Sequence, residues 1–274
     1  MIKTYKPTSP ARRQRTLSVS EGRKRKPMRF AVKNLMSSKR GSVGRSAGKI
    51  SRQCRDSGEK KRYRNIDYKR DKYGIEGKIE FIEYDPNRTC DIALVLYNDG
   101  ERRYMLAPAG IKEGDSVVSG EGISVKTGNA LPLSDVPVGI PVHNVELYPG
   151  AGGKFIRTAG SAAFVTAHEK GYVTVKMPSG EIRNFLSGCF ATIGQLGRED
   201  WKLMNIGKAG RSMHMGRRPK TRGKARSGQH PHGGSYSRRV GRNPVDQWGN
   251  LAKGKKTRRR KHTDKYIVKD RRAR

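Results

Sequence analysis

The chain has 274 residues and a formal net charge of +36, and that charge sits at its two ends. Residues 1–64 carry 21 Lys and Arg against 3 Asp and Glu, residues 202–274 carry 24 against 3, and residues 65–201 carry 15 against 18. With 33% hydrophobic and 7% aromatic residues a single large core is excluded, and self-repelling arms of this charge call for a polyanionic partner, of which nucleic acid is the obvious one.

From the N-terminus, Met1 to Lys33 is broken by charge every few residues, so it lacks the apolar centre of a signal peptide. The longest good apolar run, Ile92 to Leu96, is too short to span a bilayer. The chain reads as soluble and not secreted. Cys54, Cys90 and Cys189 are far apart, odd in number and without a Cys-x-x-Cys pair, which predicts reduced thiols and neither a disulfide framework nor a zinc ribbon. Both arms, rich in Gly, Ser, Lys and Arg, read as disordered when free.

The middle reads as strands. Tyr63 to Arg70 alternates, and Gly77 to Tyr84 does so again with Ile79 and Phe81 between charged residues. Asp91 to Tyr97 is almost continuously apolar, as a strand buried on both faces would be. Asn98-Asp99-Gly100 then supplies a hairpin turn into Arg102 to Ala107, because Asp-Gly accepts the positive φ of a tight turn. A Gly- and Pro-punctuated stretch follows, and its part around 120–141 reads as a hinge between two modules. The second set runs Val142 to Tyr148, Ala162 to His168, Tyr172 to Met177, a Pro178-Ser-Gly180 turn, and Glu181 to Leu186. Short strands at this spacing predict small barrels and not βαβ units.

Catalytic motifs largely fail on spacing. Pro149-Gly-Ala-Gly-Gly-Lys154 is not a Walker A motif, since Tyr148 stands where Gly is needed and Phe155 where Ser or Thr is needed. What remains is a glycine-dense loop followed by Lys154 and Arg157, either an ordinary loop or one whose backbone approaches a phosphate or sugar closely. His230-Pro231-His232 offers two imidazoles, but the carboxylate nearest in sequence is Asp246 and no further ligands stand beside them. A stiff, glycine-flanked turn in a basic tail, with His against bases, ribose or phosphate, suits the residues better.

Several motifs run in order along the chain: Lys3 to Pro10, Glu83-Tyr-Asp-Pro-Asn-Arg88, Asp99-Gly-Glu-Arg-Arg-Tyr104, Val142-His-Asn-Val-Glu146, Gly152-Gly-Lys-x-x-Arg-x-Ala-Gly160, Gly207-Lys-Ala-Gly210, His230-Pro-His-Gly-Gly234 and Gly254-Lys-Lys-Thr-Arg258. In these the chain resembles the universal large-subunit ribosomal protein L2 family, in its bacterial type. The resemblance implies a mainly β chain. An OB-like barrel (61–125) is followed by an SH3-like barrel (126–201), between long basic extensions (1–60 and 202–274) that thread into 23S-type rRNA. It implies RNA-binding roles for Arg88 and Arg157, and an arm containing His230, His232, Gly233 and Gly234 near the peptidyl transferase region. Lys154, Arg102, Arg103, Lys208, Arg217, Arg218, Lys255, Lys256 and Arg258 are the further candidate RNA contacts. It also implies contact with 16S-type rRNA at the subunit interface and with neighbouring ribosomal proteins, and a part in tRNA binding.

The chain departs from the family pattern in places. Gln229 precedes His-Pro-His where the family has Asp, and Ser235-Tyr-Ser237 follows the glycines in place of Gly-Glu-Gly. Cys54 and Asp56 to Glu59 stand where a His and a Gly-Gly-Gly-His run are usual, and Ala151 where Lys is common. The reading is therefore a structural and assembly component of the large subunit in a cytoplasmic or organellar ribosome. It needs no cofactor beyond the Mg2+ that rRNA brings, and it takes no membrane or small-molecule partner. Its alternatives are a general nucleic-acid chaperone or compacting protein and a His-dependent transferase or hydrolase, the last of which the missing carboxylate disfavours.

Overall fold

The computed structural model describes residues 2–19, 33–38, 44–221, 249–251, 256 and 260–272. It is mainly β, with barrel-like sheets of the expected OB-like and SH3-like kinds and few helices. The chain divides into two compact units, one drawn from 1–40, 61–208 and 265–274 and the other from 41–60 and 209–264.

The first unit holds both main sheets. One is antiparallel, in the order Ser116–Val117, Gly77–Glu83, Ile92–Tyr97, Arg102–Leu106. Ile92–Tyr97 is central, and its alternating side chains enter two cores, as its continuous apolarity predicts. Ala93, Val95 and Tyr97 pack with Ile79, Met105 and Val117, while Ile92 and Leu94 pack with Tyr104 on the other face. The hairpin forms at Asn98-Asp99-Gly100: Gly100 takes φ +83° and its N–H donates to the Tyr97 carbonyl at 2.9 Å. A bulge between Ile79 and Phe81 curls the sheet.

The second sheet has seven strands, in the order Ala130–Pro132, Phe190–Ile193, Pro141–His143, Ala163–Glu169, Tyr172–Lys176, Ile182–Leu186, Ile267–Lys269. Its core includes Leu131, Val142, Val165, Val175, Phe185 and Ile193. Leu131 is fully buried, so its truncation to Ala should cost about 2–5 kcal/mol. The last strand, Ile267–Lys269, pairs with Ile182–Leu186, so a segment read as basic tail closes the sheet.

Three expectations are corrected. The stretch 120–141 is not a hinge: Ala130–Pro132 pairs with Phe190–Ile193, and Asn129, Leu133 and Val136 are buried with it. Three residues that start two positions after Gly128 and end on Pro132 carry little local strand signal, and the pairing comes from a partner far along the chain. Tyr63 to Arg70 is not a continuous strand. Arg62–Arg64 pairs with Met36–Ser38, then the Asp67 carboxylate accepts from the N–H groups of Lys69 (3.0 Å) and Arg70 (2.8 Å) in a turn that ends with Arg70 at φ +55°. Val142 to Tyr148 is split into Pro141–His143 and Val145–Glu146 by Asn144 at φ +51°.

The described arm residues also carry local structure: Ile2–Thr4 pairs with Thr16–Ser18 within the first unit. In the second unit Arg45–Ser46 pairs with Lys49–Ile50, and the 55–59 segment lies along the end of the helix Ala209–His214. The N–H groups of Asp56 and Glu59 donate to the carbonyls of Gly216 (3.1 Å) and His214 (2.9 Å). Only glycine fits at 216, where φ is +85° and a Cβ would lie 2.5 Å from the Asp56 carbonyl oxygen. The atypical Asp56 and Glu59 sit opposite Arg218 (3.9 Å) and His214 (3.2 Å).

Candidate nucleic-acid interface

The two sheets of the first unit meet along an apolar seam of Cys90, Leu106, Ala159 and Leu196, with Ile66, Tyr68 and Trp201 packed against it. Backbone bonds cross the seam: the Ala109 N–H donates to the Gln195 carbonyl (2.7 Å) and the Gly197 N–H to the Ala107 carbonyl (3.2 Å). The Thr89 hydroxyl accepts from the Ala159 N–H at 2.9 Å. Loops 85–91 and 157–160 are thereby held on a rigid base. These loops carry Arg88 and Arg157.

The two arginines share one ring. The Arg157 guanidinium lies 4.6 Å from the Tyr68 ring centroid, and that of Arg88 lies 5.6 Å from it and 5.5 Å from Tyr63. Arg88 is turned inward: its Nη1 donates to the Tyr68 hydroxyl (2.5 Å), its Nη2 to the Arg64 carbonyl (3.1 Å), and its side chain is only 13% exposed. Its Nε lies 3.0 Å from Asp85 Oδ2 as an ion pair without hydrogen-bond alignment. Arg64 in turn lies 3.5 Å from Glu83 and 3.7 Å from the fully buried Asp85. Two guanidiniums and two carboxylates thus form a buried, charge-balanced cluster. Arg157 is exposed and, among the described residues, pairs with no carboxylate; its Nη1 donates to the Gly153 carbonyl at 3.4 Å. Burial raises the Tyr68 pKa although both arginines oppose it, so the ring stacks as the neutral phenol.

The glycine loop beside them is built from within. Glu146 is 2% exposed; its Oε1 accepts from the Gly152 N–H (2.7 Å) and its Oε2 from the N–H groups of Gly150 and Phe190 (both 3.1 Å). The Gly153 N–H donates to the Tyr68 carbonyl (2.8 Å) and that of Ala151 to the Tyr148 carbonyl (3.1 Å). The N–H groups that a phosphate would need are therefore occupied, and the open reading of this loop as a close phosphate approach by its backbone loses its donors. Gly153 is required because a Cβ there would overlap Asn144 Oδ1. Downstream, buried Ile156 takes φ +54°, a strained value for a β-branched residue, immediately before Arg157.

The other predicted contacts differ in how much charge they offer. Lys154 and Lys208 are exposed in the first unit, and Arg217, Arg218 and Lys256 are exposed. Arg102 is engaged by Glu80 through two bonds (2.8 and 2.9 Å). Arg103 is shared among Asp67 (3.0 Å), Glu101 (2.8 Å) and Asp71. Lys255, Arg258, His230, His232, Gly233 and Gly234 lie outside the described residues. Sequence reasoning missed Tyr68, Asp85 and Glu146. The available signal was aromatic residues between cations, Tyr63 and Tyr68 within Lys60 to Arg70.

All three cysteines are free thiols, and among the described residues no group of three His, Cys, Asp or Glu side chains is placed to hold a metal ion. Two small β modules joined at a rigid seam, an exposed guanidinium stacked at that seam and a strongly basic remainder define an RNA-binding protein of the barrel-built class. Two family models match the chain: the RNA-binding N-terminal domain of ribosomal proteins L2 over residues 32–119, and the C-terminal domain of ribosomal proteins L2 over residues 126–249. The chain belongs to the ribosomal protein L2 family, whose members are structural RNA-binding proteins of the large ribosomal subunit.

Proposed function

We propose that the protein organises 23S-type rRNA during large-subunit assembly. In the finished ribosome it supports association with the small subunit through 16S-type rRNA, the binding of tRNA, and the architecture of the peptidyl transferase region. The observation that carries this reading is Arg157, an exposed guanidinium placed over the Tyr68 ring at the seam, since a positioned planar fork suits a crowded phosphate backbone better than a mobile lysine does. Around it the exposed cations of both arms neutralise phosphates. In this reading His230 and His232 pack against RNA and do no proton transfer, the protein needs no resident cofactor, Mg2+ comes with the rRNA, and the ribosome is the cytoplasmic one.

Crosslinking the protein in intact ribosomes and mapping the sites tests partner and place together. Sites on the 23S-type rRNA near the peptidyl transferase region, with some at the small-subunit boundary, are expected. Sites scattered without preference over all RNA present would favour a general nucleic-acid chaperone. For the arm, His230→Gln should leave the pH dependence of single-turnover peptide-bond formation intact in fully assembled ribosomes. Loss of a titrating step with normal incorporation of the protein would assign His230 to chemistry.

A further inference from the structure

Tyr63, Arg88, Tyr68 and Arg157 form one chain of ring and guanidinium contacts, of whose two arginines only Arg157 faces solvent without a carboxylate partner among the described residues. The inner guanidinium is already neutralised, because Arg64 and Arg88 are matched by Glu83 and Asp85 in one buried cluster. We infer that Arg88 is not an RNA ligand, and that Arg88 and Tyr68 are positioning residues that hold Arg157 for a forked contact with an RNA phosphate. This rests on the proposed RNA contact of Arg157 and assigns how that contact is made.

Tyr68 positions Arg157 twice. Its ring is the platform under the guanidinium, and its carbonyl accepts from Gly153, which leads into the strained Ile156 turn. Arg88 fixes the ring by bonding the Tyr68 hydroxyl while its own charge is matched by Asp85. A guanidinium with one face on a ring retains its edge donors for a phosphate and has little freedom left to lose on binding. Asp85 keeps Arg88 from competing for that phosphate, since a matched buried cation has no counterion to release.

The test measures affinity of the full-length protein for large-subunit rRNA stripped of protein, as a function of salt. Arg157→Gln should weaken binding roughly tenfold and reduce the slope of log K against log salt by about one phosphate's worth, roughly 0.7–0.9. Tyr68→Leu, which keeps an apolar side chain on the seam, should weaken binding roughly fivefold to tenfold, and Tyr68→Phe by no more than about twofold to threefold. The double variant Tyr68→Leu with Arg157→Gln should be within about twofold of Arg157→Gln alone, because the ring acts through the guanidinium. The pair Asp85→Asn with Arg88→Gln, which keeps the cluster neutral, should leave the slope unchanged.

The failures separate cleanly. Wild-type affinity and slope in Arg157→Gln would overturn the proposed RNA contact itself. If Arg157→Gln weakens binding but Tyr68→Leu does not, if the two losses add in the double variant, or if the neutral Asp85/Arg88 pair lowers the slope by a phosphate's worth, the contact stands and the positioning inference falls. Should Tyr68→Leu lose its folded signature, Arg157→Lys carries the test. Lysine keeps the charge but cannot lie flat on the ring, so several-fold weaker binding with an unchanged slope is expected, and wild-type binding would overturn the inference.

Discussion

Replacing Glu146 by alanine should destabilise the second sheet without improving RNA binding. Its carboxylate is the common acceptor for three backbone N–H groups, of Gly150, Gly152 and Phe190, at 2.7 to 3.1 Å. Each buried donor left without a partner costs about 1–3 kcal/mol. Water entering the space next to the exposed Gly150 and Ala151 would satisfy part of this, which leaves a net loss of about 4 kcal/mol. Relief from desolvating the carboxylate offsets little, since three N–H dipoles already solvate it in place of water. For a unit of this size a loss of about 4 kcal/mol lowers Tm by roughly 8–16 °C, readable by circular dichroism on the RNA-free protein. Affinity for stripped rRNA, measured well below the transition, should not rise. An unchanged Tm together with tighter RNA binding would refute the reasoning, because it would mean that these N–H groups are open to a phosphate and that the carboxylate only competes for them.

Three further outcomes follow from burial and charge. His143 is 1% exposed with Nδ1 2.7 Å from the Gly194 carbonyl, and burial, aided by Arg70 and opposed by the Gly194 hydrogen bond, lowers its pKa to about 4. The unfolded chain therefore binds the proton first. Its contribution is whole above about pH 6.5 and is lost as pH falls toward 4, by about 3 kcal/mol in all; His143→Gln should remove that slope from urea titrations, and an unchanged slope would refute it. Burial raises the thiol pKa of Cys90 and of Cys189 to about 11, with the nearby Glu146 adding to the rise at Cys189. Both thiols should therefore resist a thiol reagent at about pH 8 while the half-buried Cys54 reacts; three equal rates would contradict the packing. Arg103→Ala removes the cation shared by Asp67, Asp71 and Glu101, of which Glu101 keeps Lys72, so it should lower stability measurably and leave the salt slope of rRNA binding unchanged, whereas a drop in slope would return Arg103 to the RNA contacts.

How far the sequence carried depended on whether a signal was local. Ile92–Tyr97 was legible because both of its faces are apolar and an Asp-Gly turn follows it. Ala130–Pro132 was not, since three residues that end on a proline become a strand only when Phe190–Ile193 lies beside them. The same holds for the site. The Gly-Gly-Lys-x-x-Arg spacing singled out Arg157, but spacing alone did not tell the exposed Arg157 from the inward Arg88. That difference comes from Asp85, three residues before Arg88, and from Tyr68, twenty residues before it. The glycine loop invited a phosphate reading because its glycines are visible in sequence, while the Glu146 acceptor that turns their N–H groups inward shows only once the loop is folded.

The arginines on and beside the first sheet are largely matched in place: Arg102 by Glu80, Arg103 by three carboxylates, and Arg64 and Arg88 by Glu83 and Asp85. A barrel so balanced exerts little long-range pull on RNA, and the attraction must come from the arms, where the sequence places +18 and +21 of net charge. Pull of that kind fades with salt and carries no register, because phosphates are alike along the chain. Register has to come from a cation whose place is fixed before binding. The stacked Arg157 meets that need, since its seam, its platform and the strained turn beside it are all set by the folded protein itself. It follows that salt should separate the two contributions: raising it weakens binding through the arms first, while the difference between the wild-type protein and Tyr68→Phe, which share every charge, should stay nearly constant across the titration.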